Sequence, residues 1–128
     1  MLRILTSVGL GIAMATAIAM PADAHAHLLS SIPAANASIA VSPPVLVLHF
    51  TEPVEAGFTG LTLKDTRGLL ITTGTTVLDK ADPATISVAI QARLAAGRYV
   101  VAWHALALDG HKTDGTYDFA VTPKTANP

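Results

Sequence analysis

The chain has no cysteine among its 128 residues, and its three methionines are Met1, Met14 and Met20. Without cysteine it can form no disulfide, no thiolate zinc site and no cysteine nucleophile. From residue 25 onward there is no sulfur ligand at all, which removes the soft donors that ions such as Cu(I) prefer. A metal bound by that part of the chain would have to be held by nitrogen and oxygen.

Charge is also scarce and nearly balanced. Eight Lys and Arg stand against nine Asp and Glu, and the formal net charge is −1 at pH 7. Such a balance gives no bulk attraction to nucleic acid or to anionic lipid. Proteins that bind polyanions through a basic surface are therefore excluded.

The first 24 residues have the pattern of a secretory signal peptide. Arg3 supplies a positive start, residues 4–20 are apolar or small, and Ala22-Asp23-Ala24 fits the small-x-small cleavage rule. The alternative, an uncleaved membrane anchor, needs about 20 apolar residues and no cleavage site. We expect a cleaved leader at 1–24 and one mature domain at 25–128 that begins at His25.

The mature part consists of short apolar runs separated by glycine, proline and other turn residues, with little helical periodicity. This pattern predicts an all-β fold, a Greek-key sandwich or barrel of seven or eight strands. The predicted strands are 27–32, 45–51, 60–64, 69–72, 75–78, 85–89, 98–106 and 117–121.

The segment 94–99 resembles a tyrosine corner, in which Tyr99 follows the turn residue Gly97 and bonds back to upstream backbone. In the strand that follows, alternation puts Tyr99, Val101 and Trp103 on one face and His104 on the other. Tyr99 is accordingly interpreted as structural. Trp103 is interpreted as a core residue that could also border a site in the turn beyond the strand.

The candidate metal site combines two distant parts of the chain. Asp109 and His111 flank Gly110 in a predicted turn, and cleavage after Ala24 makes His25 the first residue. An N-terminal histidine offers its α-amine and its Nδ1 to one ion in a single chelate ring. Together with His111 and Asp109 this gives three nitrogens and one oxygen, a set that suits tetragonal Cu(II).

Simpler interpretations remain open at each position. An Asp-Gly pair is ordinarily only a turn, and His27 and His49 are ordinarily surface residues. His104 points away from Trp103, which argues against shared ligation. Glu52 is either a plain edge carboxylate or a neighbour that orients the terminal amine or imidazole. Two other classes also remain: a secreted copper oxygenase with an N-terminal histidine, and a metal-free immunoglobulin-like structural module.

The sequence resembles the CopC family of secreted copper-binding proteins in order along nearly the whole mature chain. The matching runs are His25-Ala-His-Leu-Leu-Ser-Ser-Ile-Pro-Ala34, Leu48-His-Phe-Thr-Glu-Pro-Val54, Gly97-Arg-Tyr-Val-Val-Ala-Trp103, Asp109-Gly-His111 and Gly115-Thr-Tyr-Asp-Phe119. The resemblance implies a β-barrel related to cupredoxins. It also implies a Cu(II) site made by His25, Asp109 and His111, with Glu52 as a nearby carboxylate.

Family membership would imply a periplasmic protein without enzymatic activity that acts in copper resistance or in copper supply. We expect a monomer with one Cu(II) per chain, and an inner-membrane partner of the CopD type. Some family members also have a methionine-rich Cu(I) site in mid-chain. Residues 61–78 of this sequence contain no methionine, so we expect a single site for the oxidised ion.

Overall fold

The computed structural model describes residues 11–17 and 25–124, and the second range forms two β-sheets. The first sheet has the order β1 (Leu28–Ile32), β3 (Val45–Phe50), β7 (Thr85–Ile90) and β6 (Thr73–Leu78). The second has the order β2 (Ser38–Ile39), β9 (Lys112–Val121), β8 (Gly97–Leu106), β4 (Gly60–Asp65) and β5 (Leu70–Ile71). A single 3₁₀ turn, Ala56–Phe58, precedes β4.

The core lies between the two sheets and follows from alternation along the strands. In β3 and β7, in β8 from Tyr99 and in β9 from Tyr117, every second side chain is buried, as expected for strands with one face against a core. The largest fully buried side chains are Phe50, Phe119, Leu46, Leu48, Leu63 and Ile86. The all-β prediction is therefore confirmed.

The fold prediction left a sandwich or a barrel open and expected seven or eight strands. The hydrogen bonds leave two separate sheets, so the molecule is a sandwich and not a closed barrel. The described residues contain nine strands instead of seven or eight, because the two-residue strand β2 was not predicted. That strand pairs in parallel with the end of β9, and two residues carry too little pattern to be recognised in a sequence.

The predicted tyrosine corner is confirmed. The Tyr99 hydroxyl donates a hydrogen bond to the carbonyl of Ala95 at 2.7 Å, and the ring stacks against Phe119 with centroids 5.8 Å apart. Tyr99, Val101 and Trp103 are buried, whereas His104 is exposed on the opposite face. The corner thus fixes the start of β8, the strand that leads to the Asp-Gly-His turn.

β9 begins at Lys112, five residues before the predicted start, and Gly115 lies inside it instead of in a turn. A glycine lies inside this strand because the Trp103 indole packs directly over residue 115 from the neighbouring strand. A Cβ at residue 115 would lie 2.6 Å from Cζ2 of Trp103. The glycine is required by this close approach.

Replacing Gly115 by alanine is expected to lower the free energy of unfolding by about 1–3 kcal/mol, because the added methyl group overpacks the buried indole. Urea unfolding followed by Trp103 fluorescence measures the change. Gly57→Ala is the matched control, since a Cβ there meets nothing within 4 Å. Equal stability of both variants would contradict the packing explanation.

Residues 11–17 have no regular secondary structure. The predicted cleavage site after Ala24 lies outside the described residues. Within residues 11–17 and 25–124, no helix is long and apolar enough to cross a membrane.

Candidate metal centre

Residues 25–27, here called the N-terminal arm, are docked against one end of the sandwich. Ala26 is completely buried. The amide of His27 donates to Thr51 Oγ1 at 3.0 Å, and the amide of Thr51 donates to the His27 carbonyl at 2.9 Å. The hydroxyl of Thr113 donates to the Ala26 carbonyl at 2.6 Å. The backbone around His25 is therefore held in place by Thr51, next to the first sheet, and by Thr113, in the second.

Asp109 and His111 lie in the turn between β8 and β9. The turn is closed by hydrogen bonds from the Gly110 amide to the Ala107 carbonyl and from the Ala107 amide to the His111 carbonyl, both at 3.0 Å. Gly110 has φ +89, a left-handed conformation that glycine adopts without strain. A ten-residue antiparallel pairing of β8 with β9 supports this turn from below.

The folded chain brings the three predicted ligands together. The imidazole rings of His25 and His111 have centroids 4.5 Å apart, and Asp109 Oδ2 lies 3.1 Å from Nδ1 of His111. The side chain of His111 is 58% exposed and that of Asp109 33%. This places two imidazoles and a carboxylate side by side at the surface, where an ion from solution can reach them.

The surroundings of Asp109 keep its carboxyl group ionised. The pKa of Asp109 lies below its ordinary value of 3.8, chiefly because the backbone amide of His111 donates to the carboxylate. The hydrogen bond to the His111 side chain and the charges of His111 and His25 lower this pKa further. The group therefore presents a negatively charged oxygen at all pH values near neutrality.

The side chains of His25, Asp109 and His111 do not by themselves form a complete coordination sphere. Among residues 11–17 and 25–124, no group of three or more His, Cys, Asp or Glu side chains stands in a metal-binding arrangement. The predicted set needs the α-amine of His25 as well, and that amine exists only after cleavage behind Ala24.

The remaining histidines and Glu52 take different positions. Glu52 is exposed and lines a depression of about 240 Å³ that also includes Asp109. The ring of His27 is 6.2 Å from that of His25. His49 contacts Thr85 Oγ1 at 2.7 Å and Asp82 Oδ2 at 3.2 Å. His104 borders a different cleft, beside Gly60.

Sequence reasoning did not identify Thr51, Thr113 and the buried methyl group of Ala26. Thr51 was placed at the end of a predicted strand without a role. Thr113 fell outside the predicted strands, so its side-chain direction could not be assigned. With β9 starting at Lys112, alternation would have given Thr113 an orientation.

Fold and site together define a small β-sandwich domain with a histidine- and carboxylate-bearing end. The family model described as the CopC domain matches residues 28–122. The chain therefore belongs to the CopC family. Asp109 and His111 lie inside the matched range, and His25 lies just before it.

Individual relatives agree with this assignment. Protein YobA of Escherichia coli K12 is 39% identical over 98 residues, which cover 77% of this chain and 79% of that protein. The crystal structure of CopC from Methylosinus trichosporium OB3b has a TM-score of 0.74 at 29% identity and covers 81% of this chain and all of the other.

A second similar structure is that of PcoC, described as a methionine rich copper resistance protein from Escherichia coli. It has a TM-score of 0.69 at 31% identity, and covers 77% of this chain and all of its own. The family is thus one of copper resistance and copper transport proteins. In the present chain, however, residues 61–78 contain no methionine.

Proposed function

We propose that the protein is exported to the periplasm, loses its leader after Ala24 and binds one Cu(II) through His25, Asp109 and His111. The observation that supports this most directly is the 4.5 Å separation of the His25 and His111 rings beside the Asp109 carboxylate. Two imidazoles bound to one ion have ring centroids roughly 4–6 Å apart, given metal–nitrogen bonds of about 2 Å.

Each ligand supplies a different part of the chemistry. The α-amine and Nδ1 of His25 chelate the ion, the imidazole of His111 adds a third nitrogen, and Asp109 adds an anionic oxygen. This donor set favours Cu(II), which also forms the most stable complexes among the divalent ions of the first transition row. Glu52 borders the site and would orient the terminal amine or an imidazole without binding the ion.

The protein would act by sequestration and handover, with no reaction catalysed. As a monomer it would hold Cu(II) for copper resistance, or pass it to an inner-membrane protein of the CopD type. Its lack of cysteine, and of methionine beyond residue 20, would make it a poor ligand for Cu(I). Reduction of the bound ion would accordingly favour release.

The direct test is a Cu(II) titration of untagged protein that has been exported with its own leader, with intact mass confirming that it begins at His25. We expect tight one-to-one binding and a tetragonal, nitrogen-rich EPR spectrum. Weak binding without a defined spectrum would contradict the proposal and favour a metal-free module.

A parallel assay with reductant or peroxide and a polysaccharide tests the alternative of a copper oxygenase. We expect no turnover of the polysaccharide in this assay.

Acid is expected to release the copper. Imidazoles ordinarily titrate near pH 6.5 and α-amines near about 7.7–8.0, and only their deprotonated forms bind a metal. The lowered pKa of Asp109 keeps this carboxylate charged well below that range, so its protonation does not contribute near neutrality. Affinity should therefore fall steadily as pH drops from about 8 to 5, as measured by competition titration with a chelator of known pH dependence. An affinity that stays constant until pH 4 would contradict nitrogen ligation.

A further inference from the structure

The N-terminal arm is fastened by two threonines, one next to the first sheet and one in the second. Thr51 follows β3 in the first sheet, and Thr113 is the second residue of β9 in the second sheet. Thr51 Oγ1 accepts from the His27 amide and also donates to the carbonyl of His25 at 3.3 Å. Thr113 Oγ1 donates to the carbonyl of Ala26 at 2.6 Å. The arm thus joins the two sheets at the end of the sandwich that carries the candidate site.

Thr113 has a special place between the two halves of the site. It lies in β9, two residues after His111, and its hydroxyl binds the carbonyl of the residue directly after His25. Its side chain is half-buried and Ala26 is completely buried. If the hydroxyl were removed, the Ala26 carbonyl would lose its partner in a place with little access to water, which is costly for a buried acceptor.

The hydrogen bonds of Thr51 and Thr113 tie the arm to the domain. A chain end stays ordered only where it is tied to the domain, and here the side chain buried at the centre of the arm is a single methyl group. An ion that needs His25 and His111 together binds only while the arm is docked. The apparent affinity is then the intrinsic affinity reduced by the fraction of docked molecules.

We propose that Thr113 is a positioning residue for copper binding: its hydrogen bond to the Ala26 carbonyl keeps the arm docked and so holds His25 beside His111 before the ion arrives. This inference rests on the proposed function. Thr113 itself does not contact the ion. This role explains how the first residue of the mature chain can contribute to a site with fixed geometry.

The test compares Thr113→Val, which keeps the shape and removes the donor, with Thr113→Ser, which restores it. Thr76→Val is the matched control, because it removes a similar half-buried bond, from Thr76 Oγ1 to the Thr59 carbonyl at 2.7 Å, that involves neither the arm nor the turn. All proteins begin at His25. Thr51→Val serves as a second variant should Thr113→Val fail to fold, since it removes the bonds to His27 and His25.

Two readouts are needed, one of them without metal. In the metal-free protein, amide hydrogen exchange at His27 reports arm opening, and we expect it to be about tenfold faster in Thr113→Val than in the parent. The Cu(II) dissociation constant should rise about three- to tenfold because a smaller fraction of molecules is docked, and the EPR spectrum should not change because the ligands are the same. Thr113→Ser and Thr76→Val should match the parent in both measurements.

Unchanged exchange at His27 in Thr113→Val would overturn the proposal, because the hydroxyl would then not hold the arm. Faster exchange with a dissociation constant within twofold of the parent would overturn it too, since docking would not matter for copper. If the parent itself failed to bind Cu(II), the proposed function would fall and with it the copper role of Thr113. The exchange rates would still show whether Thr113 fastens the arm.

Discussion

An alanine added ahead of His25 is expected to weaken Cu(II) binding by about two to three orders of magnitude, on the order of 3–4 kcal/mol for each ligand lost. The addition converts the terminal amine into an amide, which is a poor donor near neutral pH, and so destroys the chelate ring with Nδ1. It leaves both imidazoles and the carboxylate in place. The measurement is a competition titration with EPR on the extended and the processed protein.

The control for this experiment is an alanine added after Pro128, which changes the length of the chain equally but lies far from His25 in sequence. It should bind copper as the processed protein does. The metal-free unfolding curves of all three proteins should coincide. Neither added alanine replaces a buried side chain, and Ala26 stays buried in each protein. If the N-terminally extended protein bound Cu(II) as tightly as the processed one, the amine would not be a ligand and the chelate model would be wrong.

Replacing His111 by alanine is expected to weaken Cu(II) binding by a similar factor, about two to three orders of magnitude. The change removes the only nitrogen that the turn contributes to the proposed set, and it leaves Asp109 facing His25 alone. The EPR spectrum should show one nitrogen fewer. Because the His111 side chain is 58% exposed, the free energy of unfolding without metal should change by no more than about 0.5 kcal/mol.

His104→Ala is the matched control for this variant. It removes an exposed imidazole from β8, the partner strand of the same hairpin, but on a face that borders a different cleft. Its copper affinity should equal that of the parent. Equal loss in both variants would indicate non-specific binding to surface histidines, and no loss in either would remove His111 from the site.

Much of the fold could be predicted because alternation is a strong local signal. The long strand Gly97–Leu106 was predicted within one residue. A bond from Tyr99 to upstream backbone was inferred from the turn glycine two residues before it, and the structure shows that bond at the Ala95 carbonyl. Two features of the fold could not be predicted, for physical reasons. β2 is too short to show a pattern, and Gly115 resembles a turn residue until the Trp103 indole is found lying over it.

The candidate site was predictable to a different degree in its two halves. Asp109 and His111 are neighbours in sequence, so a turn at Gly110 suffices to bring them together. The approach of His25 depends on tertiary contacts of Ala26, Thr51 and Thr113, and none of these residues carries metal-binding chemistry. A candidate donor set can be proposed from residue types, whereas the scaffold that positions it is made of ordinary side chains.

The docking of Ala26 between the sheets has a consequence for the order of events during biosynthesis. The N-terminal arm is made early, whereas the β8–β9 hairpin, which carries Asp109, His111 and Thr113, is among the last parts of the domain to leave the ribosome. The buried position of Ala26 exists only when both sheets are in place. A nascent or misfolded chain would therefore hold scattered donors but no assembled centre, and copper capture would be limited to molecules that have completed folding.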